Sequence, residues 1–160
     1  MSAAAQAIAH PILYWIKYTP AAAFVRDSPW AFPALQCLHF IGMALLIGAV
    51  GTIDLRVLGV GRPLPIDSVM RLLPLALVGF GINLLSGALF FAHDPFQYAF
   101  NLSFRLKLFL IGAAGLNAIW FRLQQSRMES ALAKMIAALS LGLWLGVIIA
   151  GRFIAFTAQP

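Results

Sequence analysis

The hydrophobic positions of the chain are gathered into four long runs, separated by short stretches that contain charged, proline and glycine residues. A helix needs about 20 apolar residues to cross the hydrocarbon core of a bilayer. The four runs reach that length at about 33–53, 72–92, 102–121 and 135–156. The pattern therefore predicts an all-α protein in which four transmembrane helices form a bundle.

The residues before the first run predict a different kind of segment. Residues 1–30 contain Tyr14, Trp15, Lys17 and Tyr18, and such side chains concentrate where lipid meets water. We expect an interfacial, helical amino-terminal segment, followed by the four spans in a single membrane domain that covers residues 1–160. A signal peptide opens with positive charge, whereas the first lysine or arginine here is Lys17, so no cleaved signal peptide is expected.

The composition agrees with a protein surrounded by lipid. Hydrophobic residues make up 62% of the chain and charged residues 10%, whereas soluble domains carry about 25% charged residues. The net charge of +6 comes from lysines and arginines scattered at the ends of the runs, which excludes a nucleic-acid surface. The one cysteine, Cys37, excludes an intramolecular disulfide and a multi-cysteine metal site.

The basic residues predict the orientation of the spans. The connections after the first and third runs carry Arg56, Arg62, Arg71, Arg122, Arg127 and Lys134. Loops rich in lysine and arginine stay in the cytoplasm under the positive-inside rule. Residues 57–70 and 123–133 are therefore predicted to be cytoplasmic, and the 93–103 loop and both termini are predicted to face outward.

Polar side chains within the runs are concentrated in the half that is predicted to face outward. Two histidines and three cations share this level: His39, His93, Arg105, Lys107 and Arg152. The inner half holds little beyond the charges that orientation requires. Because ionisable groups in a membrane are costly and are kept for function, the asymmetry predicts a functional site in the outer half.

Three interpretations of His39 are open from the residues alone. Neutral imidazole is a common axial ligand of haem iron in a helical bundle. Met43 follows one helical turn later, so His39 and Met43, with Cys37 as a further candidate, would suit a soft copper site. In the third interpretation His39 is structural, with a hydrogen bond to a neighbouring carbonyl or to Ser86.

The other candidate residues also have two interpretations each. His93 is either a second ligand, of haem or of a metal, or an interfacial residue at a helix end. An inward-facing Arg105, Lys107 or Arg152 would bind an anionic group such as a haem propionate, a quinone oxygen or a lipid phosphate, and otherwise extends toward lipid headgroups. Two residues turn about 200° around a helix, so Arg105 and Lys107 cannot both face the bundle.

Small and polar residues elsewhere in the runs predict contacts between helices. Gly142 and Gly146 form a GxxxG pair, which is expected to let two backbones approach closely. Asn83 and Asn117 lie within spans, where unpaired amides are costly. They are expected to hydrogen-bond across helices, and either could also contact a quinone.

Asp54 closes the first run beside two basic residues. A carboxylate at this position can pair with Arg56 on the same helix or with Arg71 across the hairpin. The sequence favours this structural ion pair over a proton-binding role.

Several short motifs resemble a known family. They are Leu38–Gly42 followed by Asp54–Gly59, Pro74–Gly79 followed by Ser86–Gly87, Phe104–Lys107 followed by Asn117–Ala118, and Gly151–Phe156. Together they resemble bacterial inner-membrane proteins of unknown function that are four-helix relatives of the CopD copper-resistance membrane domain, over most of residues 28–156. CopD-type domains in turn resemble, more distantly, membrane haem-b proteins that include the HemJ protoporphyrinogen oxidases.

The resemblance implies a location in the bacterial inner (cytoplasmic) membrane. It favours His39 as a ligand, with Lys107 and Arg152 as polar elements of the same pocket. The chain departs from a di-haem pattern, because its three histidines cannot supply four axial ligands.

These observations predict a membrane subunit that binds a redox cofactor, with haem b as the first choice, and exchanges electrons with quinone or a partner protein. The alternatives are a cofactor-free structural subunit of a larger membrane complex and a copper-handling membrane protein. Expected partners are membrane lipid, quinone, a membrane or periplasmic protein, or a second copy of the chain. The sequence shows no nucleophile–base pair, carboxylate dyad or phosphate-binding loop, so an electron-transfer or accessory role is favoured over an enzyme.

Overall fold

A computed structural model describes residues 10–61, 63–123 and 130–157. Within these ranges the secondary structure is entirely helical. The helices are α1 (Pro11–Lys17), α2 (Pro20–Asp27), α3 (Ala31–Leu58), α4 (Ile66–Met70), α5 (Leu73–His93), α6 (Pro95–Ala99), α7 (Leu102–Leu123) and α8 (Ala131–Thr157). Two of the predicted loop arginines, Arg62 and Arg127, lie outside the described residues, as do the first nine residues of the predicted interfacial segment.

Four helices, α3, α5, α7 and α8, are long and apolar enough to cross a membrane, which confirms the predicted fold class. They overlap the four predicted spans, and α3 is longer than its predicted range of about 33–53. It runs to Leu58, so Asp54 and Arg56 lie within the helix. Asp54 is buried, and the Arg56 guanidinium Nε donates to the Leu64 carbonyl oxygen at 2.6 Å. The helix ends at Gly59, whose φ of 104° is readily adopted by glycine.

The long helices form two antiparallel hairpins, α3 with α5 and α7 with α8, and the hairpins pack together through α3 and α8. The α3–α5 contact is a direct approach of two backbones. A Cβ atom built on Gly79 would lie 2.6 Å from the carbonyl oxygen of Gly42 and 2.6 Å from the amide nitrogen of Leu46. Gly79 therefore allows α5 to rest on the α3 backbone.

The close approach predicted at Gly142 and Gly146 is not found. A Cβ atom on Gly142 would meet no heavy atom within 4 Å, and one on Gly146 would meet the flexible end of Leu110 at 3.2 Å. The GxxxG spacing was a misleading guide here, because it does not say which face of a uniformly apolar helix meets a neighbour.

The half of the bundle that the basic loops predict to face the cytoplasm, called the inner half below, is closed by small side chains. The opposite half is called the outer half. Val57 of α3 packs against Ala133 and Ala137 of α8, with Phe121 of α7 beside them. Alanine at both α8 positions lets the two hairpins meet closely at this end. The outer half is organised differently, because its centre contains a cavity.

The short helices α1, α2 and α6 contact the outer ends of the long ones. Lys17 of α1 lies over the ring of Phe96 in α6, with its Nζ 5.8 Å from the ring centroid. Trp15 and Trp30 are largely exposed, at 71% and 81%. Exposed tryptophans and a nearby lysine are typical of a segment at the boundary of lipid and water.

Candidate intramembrane cofactor site

A cavity of about 380 Å³ lies among α3, α5, α7 and α8. Small-molecule sites in proteins commonly measure about 300–1,000 Å³. Its wall is mostly apolar and includes the aromatic side chains Phe80, Phe91, Phe104 and Trp144. Three polar side chains line it: His39, Asn83 and Lys107. An apolar cavity with a few polar groups is suited to a hydrophobic ligand that needs fixed orientation.

Antiparallel packing brings the three polar residues to this cavity from three different segments of the chain. His39 lies about two turns after the start of α3, and Met43 follows it by one turn on the same wall. Lys107 lies in the second turn of α7 and Asn83 near the middle of α5. The Asn83 amide nitrogen donates to the Gly79 carbonyl oxygen at 2.9 Å, so that amide is held against its own helix.

His39 is held by one hydrogen bond, to Ser86 of α5. The distance from His39 Nδ1 to Ser86 Oγ is 2.6 Å, and Ser86 is 1% exposed. The Ser86 hydroxyl donates its single proton to the Ile82 carbonyl oxygen at 2.7 Å. With the serine proton assigned to this carbonyl, the serine oxygen accepts from His39, and the assignment puts the proton of a neutral imidazole on Nδ1 and the lone pair on Nε2.

Aromatic rings surround the imidazole and extend toward the outer surface. The ring of Phe90 meets His39 edge to face, with centroids 5.5 Å apart. Phe32 packs on Phe90 and also on His93, at centroid distances of 5.4 and 5.2 Å. Two phenylalanine rings thus connect His93 to His39, and His93 lies against Phe32 at the outer end of α5.

The predicted site residues divide into two groups. His39, Met43 and Lys107 line the cavity, and His93, Arg105 and Arg152 are not among its lining residues. Arg105 and Arg152 are exposed, and the Arg152 guanidinium lies over the ring of Phe156 at 5.4 Å. Lys107 is half-buried while Arg105 is exposed, which agrees with the predicted divergence of these two side chains.

A metal site made only of side chains has no support in the described ranges, where no group of three or more His, Cys, Asp and Glu residues could hold an ion. Cys37 is exposed. Two residues separate it from His39, which turns its side chain about 200° away around α3. Of the copper ligands suggested by the sequence, His39 and Met43 share the cavity.

The sequence places several aromatic rings at this level, Phe91 among them, but it did not indicate Phe104 or Trp144 as walls of the site. Phe91 and Phe104 stack with ring centroids 5.7 Å apart and planes 15° from parallel, where α5 and α7 meet the outer end of the cavity. Phe104 precedes Lys107 by three residues, so the spacing places both on one face of a helix. This spacing could have indicated from the sequence that Phe104 lines the same cavity as Lys107. Nothing in the sequence indicated Trp144, which reaches the cavity from α8.

No family model, curated protein or solved structure matches this chain. The resemblance to CopD-type membrane domains stays a prediction.

Proposed function

We propose that the protein is a membrane redox protein that binds haem b in the cavity, with His39 Nε2 as an axial ligand. The observation that carries this proposal is the hydrogen bond from His39 Nδ1 to Ser86. Metal-ligating histidines almost always donate their other ring N–H to a neighbouring acceptor, which fixes the tautomer and the ring orientation. When bound, haem supplies one-electron transfer, and the chain supplies the ligand, the apolar surroundings and a cation.

The set of donors favours haem over a bare copper ion. Protein copper sites combine several side-chain ligands, as in the arrangement of two histidines and one cysteine. The described residues hold no group of three or more His, Cys, Asp and Glu residues that could do this. A porphyrin brings its own in-plane ligands, so a single histidine is sufficient to anchor the iron.

The cavity offers one axial ligand and one cation. Met43 lies one turn from His39 on the same helix. On the same helix wall as His39, Met43 would contact the haem beside His39, and His39 would remain the iron ligand from this chain. Lys107 is the predicted cation that lines the cavity, and an ammonium in an apolar site is well placed to bind a propionate. Arg152, exposed beside Phe156, is less suited to this role.

We place the cavity in the outer half of a bacterial inner membrane, with both termini outside. At the opposite end of the bundle lie Arg56, Arg71, Arg122 and Lys134. This charge distribution supports a cytoplasmic location for that end. Quinone dissolved in the bilayer, or a membrane or periplasmic protein at the outer surface, then serves as the redox partner.

A visible spectrum of the purified protein, made in cells with sufficient haem, tests the proposal. We expect a haem-b spectrum that changes on reduction, in a high-spin form because one protein ligand is available. His39→Ala should remove the haem, and Lys107→Met should weaken its retention several-fold. His93→Ala should leave the spectrum unchanged, because Phe32 and Phe90 lie between this ring and His39.

The matched control is Phe40→Ala, which alters a 62% exposed side chain next to His39 and should keep the haem. A correctly folded protein that contains no haem would reject the proposal. Retention of the same haem spectrum by His39→Ala would reject His39 as the ligand. Loss of a low-spin spectrum in His93→Ala would instead make His93 the second ligand.

The same cavity supports direct binding of a quinone as a second candidate. The observation in its favour is that His39 Nε2 is a hydrogen-bond acceptor whereas the Lys107 ammonium is a donor, and both line one apolar space. A quinone or quinol ring needs such groups for its oxygens. A haem-free preparation that carries stoichiometric quinone, lost in both His39→Ala and Lys107→Met, would favour this candidate over haem.

A further inference from the structure

A second polar site lies in the inner half of the bundle, about 22 Å along α3 from His39. Asp54 is 4% exposed, and its Oδ2 atom has no hydrogen-bond partner among the described residues. Val57 of α3 packs against Ala137 of α8, and because the two helices run antiparallel, this register brings Ser140, which is 8% exposed, to the level of Asp54. The carboxyl is therefore held between α3 and α8, away from water.

A second buried acceptor approaches the same turn of α8. Asn117 of α7 is 6% exposed and donates from Nδ2 to the Ile136 carbonyl oxygen at 3.1 Å. Its Oδ1 atom likewise has no partner among the described residues. Ile136 and Ser140 are one helical turn apart. A buried carboxyl oxygen of α3 and a buried amide oxygen of α7, each without a partner among the described residues, thus lie at the same level of α8.

The basic residues that the structure describes at this end form no ion pair with Asp54. Arg56 donates its Nε to the Leu64 carbonyl oxygen at 2.6 Å. The other charged side chains of the neighbouring elements are exposed: Asp67, Arg71, Arg122 and Lys134. In the described ranges the one ion pair is Arg26 with Asp27, at the other end of the bundle. The ion pair expected between Asp54 and Arg56 or Arg71 is therefore not formed.

We propose that Asp54, with Ser140 and Asn117, is a proton-binding site that holds its carboxyl group in the neutral acid form at neutral pH. An isolated carboxylate buried without a partner is so costly that such groups become neutral instead. Protonation of Asp54 also gives its carboxyl group a hydroxyl donor, at a level of the bundle where the buried oxygens that lack partners in the described ranges are acceptors. Intramembrane carboxyl groups of this kind carry protons in pumps and transporters.

The surroundings favour a proton over a metal ion. Hard cations such as calcium take about six to eight oxygen ligands. Val57, Ala133 and Ala137 fill the adjoining space with apolar groups. A proton needs only the carboxyl oxygen itself. The proposed site is one turn from the end of α3, so its proton exchanges with water on the side that carries the basic loops.

An apolar carbodiimide tests the site in native membranes, because this reagent reacts with protonated carboxyl groups in hydrophobic surroundings. The acid O–H adds across one C=N bond, the proton going to nitrogen and the carboxyl oxygen to carbon, and an acyl shift gives a stable N-acylurea. No group leaves and nothing is oxidised. At neutral pH we expect Asp54 to be modified at least about tenfold more than exposed Asp67, since exposed carboxyl groups are ionised there.

Peptide mass spectrometry locates the adduct, with Asp54→Asn and Asp67→Asn as matched variants. Infrared spectroscopy gives an independent readout: an acid C=O band should be present at neutral pH and absent in Asp54→Asn. An Asp54 that reacts only in acid and shows no such band would overturn the proposal. Protection of Asp54 by sodium ions without any dependence on pH would also overturn it and assign the site to a metal cation. Neither readout involves haem, so each is independent of the proposed function.

Discussion

The half-buried His39 in the outer half of the bundle and the buried Asp54 in the inner half have different surroundings. In the outer half, His39 Nδ1 and Ser86 Oγ form a hydrogen bond of 2.6 Å, and the imidazole also borders a cavity of about 380 Å³. In the inner half, Asp54 is 4% exposed and has an oxygen without a partner among the described residues. It lies about one turn from Val57, which packs against Ala133 and Ala137. His39 therefore has a hydrogen-bond partner and faces a cavity, whereas Asp54 is buried with one oxygen that has no partner among the described residues.

The difference follows from what α3 packs against at each level. In the outer half α3 rests on α5 through Gly42 and Gly79, and α7 and α8 supply the opposite wall of the cavity. In the inner half α3 meets α8 through alanines, which leave no comparable space. A polar group beside a cavity can bind a cofactor, whereas one in a close-packed region can bind a proton without needing a preformed cavity.

The largest loss of stability is expected from Gly79→Ala, because it disrupts the packing of α5 against α3 in the outer half. The new methyl group would lie 2.6 Å from two backbone atoms of α3, which cannot move away as a side chain can. Overpacking of this kind costs about 1–3 kcal/mol, occasionally more, and should lower the midpoint of thermal unfolding in detergent. Gly81→Ala is the control on the same helix, because its Cβ atom would meet nothing within 4 Å. Equal unfolding temperatures for the two variants would show that the backbone contact is absent.

An intermediate effect is expected from Ser86→Ala, which leaves His39 Nδ1 without its acceptor. A buried group left unpaired costs about 1–3 kcal/mol, and the freed imidazole should also bind haem less tightly. Thr52→Val is the matched control. Its hydroxyl donates to the Gly48 carbonyl oxygen at 2.6 Å on an exposed face of the same bundle. If unfolding temperature and haem content are unchanged in Ser86→Ala, the outer half holds its histidine by some other means.

The smallest effect is expected from Gly146→Ala, which probes the α7–α8 hairpin. Its Cβ atom would lie 3.2 Å from Leu110 Cδ1, the end of a side chain that can shift. Helical glycine is less favourable than alanine by roughly 0.5–1 kcal/mol, so the two effects should nearly cancel in the free energy of unfolding. Gly142→Ala, with open space around it, should be slightly stabilising. A loss for Gly146→Ala as large as that for Gly79→Ala would mean that both hairpins are packed equally closely.

The sequence was sufficient for the fold because the length of an apolar run alone predicts a span. It also pointed to Ser86 as a possible partner of His39, since antiparallel neighbours place residues 39 and 86 at a similar depth. The divergence of Arg105 and Lys107 followed from helical geometry alone. The spans and the depth of residues 39 and 86 are positions along the membrane normal, which follow from the number of residues in a helix.

The failures concern rotation about the helix axis. In a soluble protein, the polar face of a helix points to water, so the sequence indicates that the apolar face is buried. These spans are apolar on all sides, so their sequence does not indicate which face meets another helix. His93 and Arg152 were therefore grouped with His39 by depth, although Phe32 and Phe90 stand between the two histidines and Arg152 is exposed. The same ambiguity explains why Gly142 and Gly146 were expected at a close contact that occurs at Gly42 and Gly79 instead.

The position of His39 and Asp54 on one continuous helix has an electrical consequence. Fifteen residues separate them, which is about 22 Å at 1.5 Å per residue, and the hydrocarbon core across which a membrane voltage falls is about 30 Å thick. An elementary charge that crosses the whole core at 100 mV changes its energy by about 2.3 kcal/mol. Charge that moves between the levels of these two residues crosses roughly two thirds of that distance. The voltage alone would then shift such an equilibrium by about tenfold.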